Sequence, residues 1–312
     1  MEQTNTLVKE KKVLKKRQKD MIFVACLVFL PLIHYAIFYV YVNINSIVIA
    51  FQTYDVASDS YSWNNFANFK QLYDEFIREG FLLTSLKNSL LYYVINTAIS
   101  TTACLFFSYY IFKKRFASKL FKTMLFLPSI ISSIALTLMF KYFADYAMPK
   151  VLLEIFGKEV PPLISDKLTK LGTVIFYGIW MGFGTSLLMY SGAMSNISDS
   201  VIEAAQIDGA GEFRQFFNVV LPLIYPTLTT FLVNGVAVIF SSDMHLFAFF
   251  GTQADKYVYT FGYYLLRLVK KAGGSETGYG YPAAVGLILT AVSVPLTFAF
   301  RWALNKFGPK TV

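Results

Sequence analysis

The chain has 312 residues, of which 55% are hydrophobic, 18% aromatic and 15% charged, with a formal net charge of +9. A soluble domain of this length carries nearer a quarter charged residues, so the composition excludes an ordinary water-surrounded globule and predicts one membrane domain with no separate soluble one. Nucleic acid is excluded as a partner by where the charge lies: seven of the 28 Lys and Arg (Lys9, Lys11, Lys12, Lys15, Lys16, Arg17, Lys19) fall within the first 20 residues.

That basic segment, 1–20, adjoins the first apolar span, the arrangement of a cytoplasmic anchor beside anionic lipid. No small-residue cleavage site follows, so a retained signal-anchor helix is expected. A bilayer span needs about 20 mostly apolar residues, and six stretches qualify: 21–43, 82–112, 120–143, 170–194, 222–250 and 281–304. The chain thus divides into residues 1–20 and an all-α six-span domain over 21–312. The second and fifth stretches exceed the need and must tilt, bend or project. Pro31, Pro128, Pro226 and Pro295 fall inside spans, each freeing a carbonyl that must find another partner in lipid.

Of the intervening loops, 52–80 is polar and aromatic and predicts a short interfacial helix near Phe69–Arg78. The loop 251–280 contains TFGYYLLRLVKKAGG, which predicts a surface helix ended by Gly273 and Gly274. With the N-terminus inside, segments 1–20, 113–122, 195–221 and 301–312 hold 16 basic against seven acidic residues, whereas the outer loops 52–80, 144–170 and 251–280 hold 10 against 11. Both termini are therefore expected in the cytoplasm. Cys26, Cys104, His34 and His245 stand apart, so packing rather than a disulfide or metal set is expected of the cysteines. No phosphate-cradling GxxxxGK[ST] loop and no HExxH occurs. An enzyme is the least favoured class, and no cofactor is expected in this chain.

Residues 203–222, EAAQIDGAGEFRQFFNVVLP, are too polar for a lipid-exposed span yet lie between two apolar runs. Ser200 and Glu203 have capping-box spacing, placing a helix start near Val201. Val201, Ile202, Ala204 and Ala205 then form one low apolar face. Asp208 is suited to cap a following helix, Gly209 to the bend between them. Phe213, Phe216, Phe217 and Val220 have i, i+3, i+4, i+7 spacing, and Pro222 suits the first turn of the next span. Two short amphipathic helices are predicted. They either lie on lipid or dock a soluble cytoplasmic protein. Asp199, Glu203, Asp208 and Glu212, against Arg214 alone, favour docking, because the inner leaflet is anionic.

The string from Glu203 to Pro222, EAA–xx–DGA–five residues–Phe–xx–Val–x–Leu-Pro, resembles the EAA loop of bacterial ABC importer permeases. FLPLIHYAIFYVYVNINSIVIAF (29–51), NNFANFKQLY (64–73), LPSIISSIALTLMF (127–140) and GYGYPAAVGLILT (278–290) are similar to stretches of the sugar-permease, MalF-like branch. The resemblance implies the type I ABC importer permease fold, in a multi-pass subunit of the bacterial cell membrane that takes up a sugar, oligosaccharide or sugar derivative. It implies a second permease subunit, two cytoplasmic ABC ATPase subunits that bind ATP and Mg, and an extracytoplasmic solute-binding protein. By position it assigns ATPase coupling to a loop at about 195–222: Glu203, Ala204, Ala205, Asp208, Gly209 and Ala210, with Phe216, Leu221 and Pro222 as its tail. Two departures stand out. FFGTQADKYVYT (249–260) replaces a GGP stretch, and Gly211 replaces a small polar residue.

Polar residues kept inside spans are candidate solute contacts. Asn234, Ser241, Ser242, Asp243 and His245 cluster in the fifth span, and Trp180 and Tyr190 in the fourth offer aromatic platforms for sugar rings. Asn88, Asn96 and Ser100 recur in the second, where interhelical hydrogen bonding is the competing reading. Asp243 is expected to pair with His245, Lys87 or a residue of the second subunit. An importer of amino acids, phosphate or organophosphate carries the same loop, but phosphate would favour paired Arg or Lys in the spans and none occurs. A secondary transporter or channel would show buried charges and an inverted repeat. One buried acid and no repeat argue against it.

Overall fold

The computed structural model describes residues 2–55, 58–273 and 278–309, with side chains from Gln18 onward. Gly274 and the side chains of Lys9 to Arg17 lie outside it. Helical backbone extends from Glu2 to Ala50, so the basic segment is continuous with the first span, and that span, α1 (Gln18–Ala50), is longer than predicted. Its large apolar side chains from Met21 to Val48 are exposed, as suits a helix whose surroundings are lipid or another chain. Cys26 lies on this exposed helix, contrary to its expected burial, whereas Cys104 is buried.

A hairpin that the sequence did not announce follows: β1 (Gln52–Asp55) pairs antiparallel with β2 (Ser60–Trp63), Gln52 opposite Trp63. Next comes α2 (Ala67–Arg78), where the interfacial helix was expected. Its buried Asn68 donates to the carbonyls of Ala50 and Gln52, both at 2.9 Å, tying α2 to the end of α1.

The second span is α3 (Phe81–Phe112), as predicted. The third is not one straight helix. α4 (Ser118–Ile130) and α5 (Ser133–Phe156) meet at 99°. Pro128 has no N–H to give and crowds the carbonyl of the preceding turn, and Ile131 then turns extended at ψ 147°. The fourth span is α6 (Lys170–Ser195). After α7 (Asp199–Ile207) comes α8 (Glu212–Ala237), which corrects the fifth span: it starts ten residues before the predicted 222 and stops at Ala237 rather than 250. Between α8 and a single turn of helix, α9 (Leu246–Phe250), the chain leaves helical geometry, and Met244 and His245 take left-handed φ of 53° and 59°. The last helices are α10 (Phe261–Ala272) and α11 (Gly280–Phe307). α10 is not the surface helix expected. Phe261, Gly262, Tyr263 and Tyr264 are buried against the break after α8 and the start of α3.

Five helices, α1, α3, α6, α8 and α11, are long and apolar enough to cross a bilayer among the described residues, and the bent α4–α5 pair brings the number to six. Two buried clusters hold them. One joins Leu82, Val174, Tyr177, Met244, Leu246, Phe249, Tyr259 and Tyr263. The other joins Cys104, Leu105, Tyr109, Tyr190, Met194, Ile202, Phe216, Val220 and Ile224, and it seats the candidate site.

Candidate functional site: the α7–α8 segment

The helix α7 begins two residues earlier than the Ser200–Glu203 box implied. Ser198 is its N-cap, with Oγ accepting the Ser200 N–H at 3.3 Å. That leaves the Glu203 carboxylate exposed. The helix ends in a glycine-terminated motif: the Ala210 N–H donates to the Ala205 carbonyl at 2.9 Å and the Gly209 N–H to that of Gln206 at 3.0 Å, with Gly209 at φ +75°. Gly209 therefore makes the bend, as predicted. Asp208 does not cap the next helix. It closes the first one, and Gly211 stands at the N-cap of α8.

The second short helix is likewise not separate, since α8 carries it straight into the membrane through a π-helical turn at Phe216–Val220. Pro222 then lies inside a continuous helix. It has no N–H for the carbonyl four residues earlier, and its ring crowds that carbonyl; the wider turn just before it gives the room.

The helical period sorts α7 into two faces. Ile202 and Ala205 are buried, and Ile202, with Phe216 and Val220 of α8, packs in one cluster with Leu105 and Tyr109 of α3 and Met194 of α6. Glu203, Ala204, Gln206, Ile207 and Asp208 point outward. The predicted face of Val201, Ile202, Ala204 and Ala205 is thus split, with Ala204 outside and Ala205 inside. Sequence reasoning missed Ile207, 86% exposed three residues after Ala204, and missed that Phe213, 76% exposed, stays outside while Phe216 is buried. Leu221 and Pro222 are half-buried.

Polar contacts latch the segment to the end of α3. The Tyr109 hydroxyl donates to the Glu212 carbonyl at 3.1 Å, and Lys113 Nζ donates to Gln215 Oε1 at 2.7 Å. Gln215 Nε2 donates to the Ala210 carbonyl at 2.5 Å, and Arg115 pairs with the Glu212 carboxylate. Burial, with the neighbouring Arg115, holds the Lys113 ammonium below its ordinary pKa. Phe216 lies 5.0 Å from the Tyr109 ring and 5.2 Å from Phe106. These contacts fix the start of α8 to the end of α3.

The six candidate solute contacts do not converge. Tyr190 and Ser242 line a cavity of about 220 Å³ between α3, α6 and α8, together with Tyr92, Asn96, Ser100 and Ser186. Asn234, Ser241, Asp243 and Trp180 are not in its lining; Asn234, Ser241 and Trp180 are exposed instead. Asp243 lies in the break after α8 rather than within a span. Its carboxylate accepts from the backbone N–H of His245 at 3.3 Å and of Phe247 at 3.4 Å, so it caps α9. His245 is thus its partner through the main chain, and Lys87 is not among its hydrogen-bond partners. Asn88 is structural, donating to the carbonyls of Tyr257 and Tyr259 at 2.8 and 2.9 Å.

Comparison with known proteins adds an independent finding. Residues 100–311 match the family described as binding-protein-dependent transport system inner membrane component. The chain is 31% identical to a probable ABC transporter permease protein, MG188, of Mycoplasma genitalium over 58% of its length and 55% of that protein's, so it spans about half of that relative. It is 26% identical to the polygalacturonan/rhamnogalacturonan transport system permease protein YteP of Bacillus subtilis, over 92% of this chain and 89% of that one. A crystal structure of a bacterial alginate ABC transporter, in complex with an alginate pentasaccharide-bound periplasmic protein, has the same fold, with a TM-score of 0.75 at 18% identity over 96% of this chain and 99% of that one.

Proposed function

This chain belongs to the family of binding-protein-dependent transport system inner membrane components, and we propose that it is the permease subunit of an ATP-driven importer that takes up a sugar, oligosaccharide or sugar derivative. In this reading both termini are cytoplasmic. A second permease subunit completes the channel, two cytoplasmic ATPase subunits bind ATP and Mg, and an extracytoplasmic solute-binding protein delivers the solute. Glu203, Ala204, Ala205, Asp208, Gly209, Ala210, Phe216, Leu221 and Pro222 form the coupling element.

The observation that carries the reading is the two-faced α7. Ile202 on its inner face packs into the cluster formed by α3 and α6, while its outer face leaves Ile207 86% exposed near the exposed Glu203, and Phe213 at the start of α8 is 76% exposed. Large apolar side chains flanked by charge mark a docking surface more readily than a resting place on anionic lipid. The Bacillus subtilis relative is a polygalacturonan/rhamnogalacturonan permease and the structural neighbour an alginate transporter, and both favour a carbohydrate as cargo here. Of the solute candidates, Trp180 and Asn234 are exposed in the single chain, which suits residues of a lumen shared by two subunits.

Proteoliposomes holding the complete importer test the cargo. Uptake of labelled oligosaccharide should require ATP and the binding protein and should exceed amino-acid uptake at least about tenfold, the ratio set by each 1.4 kcal/mol of discrimination. Uptake of amino acids or organophosphate in preference to sugar would overturn the carbohydrate assignment.

A further inference from the structure

The turn between α3 and α4 is more than a connector. It is rigid: Lys114 and Ala117 both take left-handed backbone, at φ 51° and 55°. The Lys114 N–H donates to the Ile111 carbonyl at 3.0 Å, the Ser118 N–H to that of Arg115 at 3.0 Å, and the Tyr110 hydroxyl to that of Phe116 at 2.8 Å. Holding two non-glycine residues left-handed costs free energy, and the product is a tip that pushes Phe116 out to 90% exposure. Residues 113–122 carry five cations (Lys113, Lys114, Arg115, Lys119, Lys122) and no acid. Lys114, Arg115, Lys119 and Lys122 are exposed.

The apolar tip is continuous with a stripe that descends α4. Leu120, Met124 and Leu127 follow Phe116 at intervals of four, four and three residues, and all are exposed, at 55%, 63% and 54%. An exposed aromatic among cations, at the head of an apolar stripe on a membrane helix, has the composition of an interfacial lipid contact. The acids in the adjoining clefts are Glu212 beside Arg115, and Asp199 and Glu203 beside Lys113 and Lys114.

We propose that the 113–122 hairpin binds the anionic phospholipid headgroups of the inner leaflet, with Phe116 among the acyl carbons and Arg115, Lys119 and Lys122 on the phosphates. This rests on the orientation given above, which places the hairpin on the cytoplasmic side. It has a consequence for coupling. Arg115 pairs with Glu212 at the start of α8, with both side chains about half exposed, so a headgroup phosphate competes with Glu212 for the same guanidinium. Anionic lipid then loosens one of the contacts between α3 and the coupling element.

The test uses the assembled importer in nanodiscs of mixed phosphatidylglycerol and phosphatidylcholine, with retained lipid read by native mass spectrometry. The protein should retain phosphatidylglycerol in preference to phosphatidylcholine. Each surface cation contributes about fivefold to anionic-lipid binding, so the triple variant Arg115→Gln, Lys119→Gln, Lys122→Gln should lose the preference at least about tenfold. Glu212→Gln, which frees Arg115, should strengthen it. An unchanged preference in the triple variant, or equal retention of both lipids by the unsubstituted protein, would overturn the proposal. The orientation is read separately by a membrane-impermeant thiol reagent on Phe116→Cys. Labelling in inverted vesicles alone upholds it, and labelling in right-side-out vesicles overturns the orientation itself.

Discussion

Replacing Glu203 by Arg should leave the chain folded and inserted while abolishing uptake. The side chain is exposed and lies outside the buried cluster, which α7 joins through Ile202. Exposed substitutions away from caps and cores usually move stability by no more than about 0.5 kcal/mol. In the proposed docking surface, a charge reversal places like charges together or leaves a cation unpaired, which costs several kcal/mol in association. A loss of this size would reduce ATPase co-purification at least about tenfold. Uptake should fall with it, since the segment runs directly into α8. Normal uptake by the Glu203→Arg protein, with ATPase still bound, would remove the coupling role from this segment.

A large effect on folding is expected at Gly262, the second residue of α10. A Cβ built there would lie 2.5 Å from the Ser241 and Ser242 backbone, closer than any real Cβ contact. The backbone opposite cannot yield, because Thr260 Oγ1 donates to the Ser242 carbonyl at 2.8 Å, while the Phe261 N–H is held by Ser89 Oγ at 3.1 Å. Overpacking of this kind costs typically 1–3 kcal/mol and more where backbone is struck, so Gly262→Val should lose about 3 kcal/mol or more and melt or aggregate well below the unsubstituted protein in detergent. Gly182 is the control. Nothing lies within 4 Å of its Cβ position, and Gly182→Ala should hold or raise stability by up to about 1 kcal/mol through helix propensity. Equal melting of the two variants would mean that α10 does not press on the break after α8.

The spans α1, α3, α6 and α11 were legible because length and apolarity alone decide whether a helix can cross a bilayer. Direction within an apolar run is not encoded in its apolarity. That is why the 99° bend at Ile131 and the departure from helix after Ala237 were missed, although Pro128 marked the first and SSDMH the second. The β1–β2 hairpin escaped because four-residue strands made of Gln, Thr, Tyr, Asp, Ser and Trp carry no hydrophobic period. The α7–α8 segment stood out by its charge and spacing, yet its caps were misplaced by two or three residues, since Ser198 and Ser200 offer the same chemistry. Ile207 was passed over as the residue before a break. Only the bend at Gly209 shows that it ends in solvent. The candidate solute residues were the least legible, because polarity within an apolar run does not say which way a side chain faces: Tyr190 and Ser242 line a cavity, whereas Asn234, Ser241 and Trp180 are exposed.

The most direct test is site-specific cross-linking in intact cells from single cysteines on opposite faces of α7. Ile207→Cys, whose native side chain is 86% exposed, should capture an ATP-hydrolysing subunit, and Ile202→Cys, at a site 8% exposed and turned onto α3, should capture none. Failure to trap such a subunit from position 207, or equal trapping from both positions, would contradict a helix that holds the membrane with one face and its motor with the other.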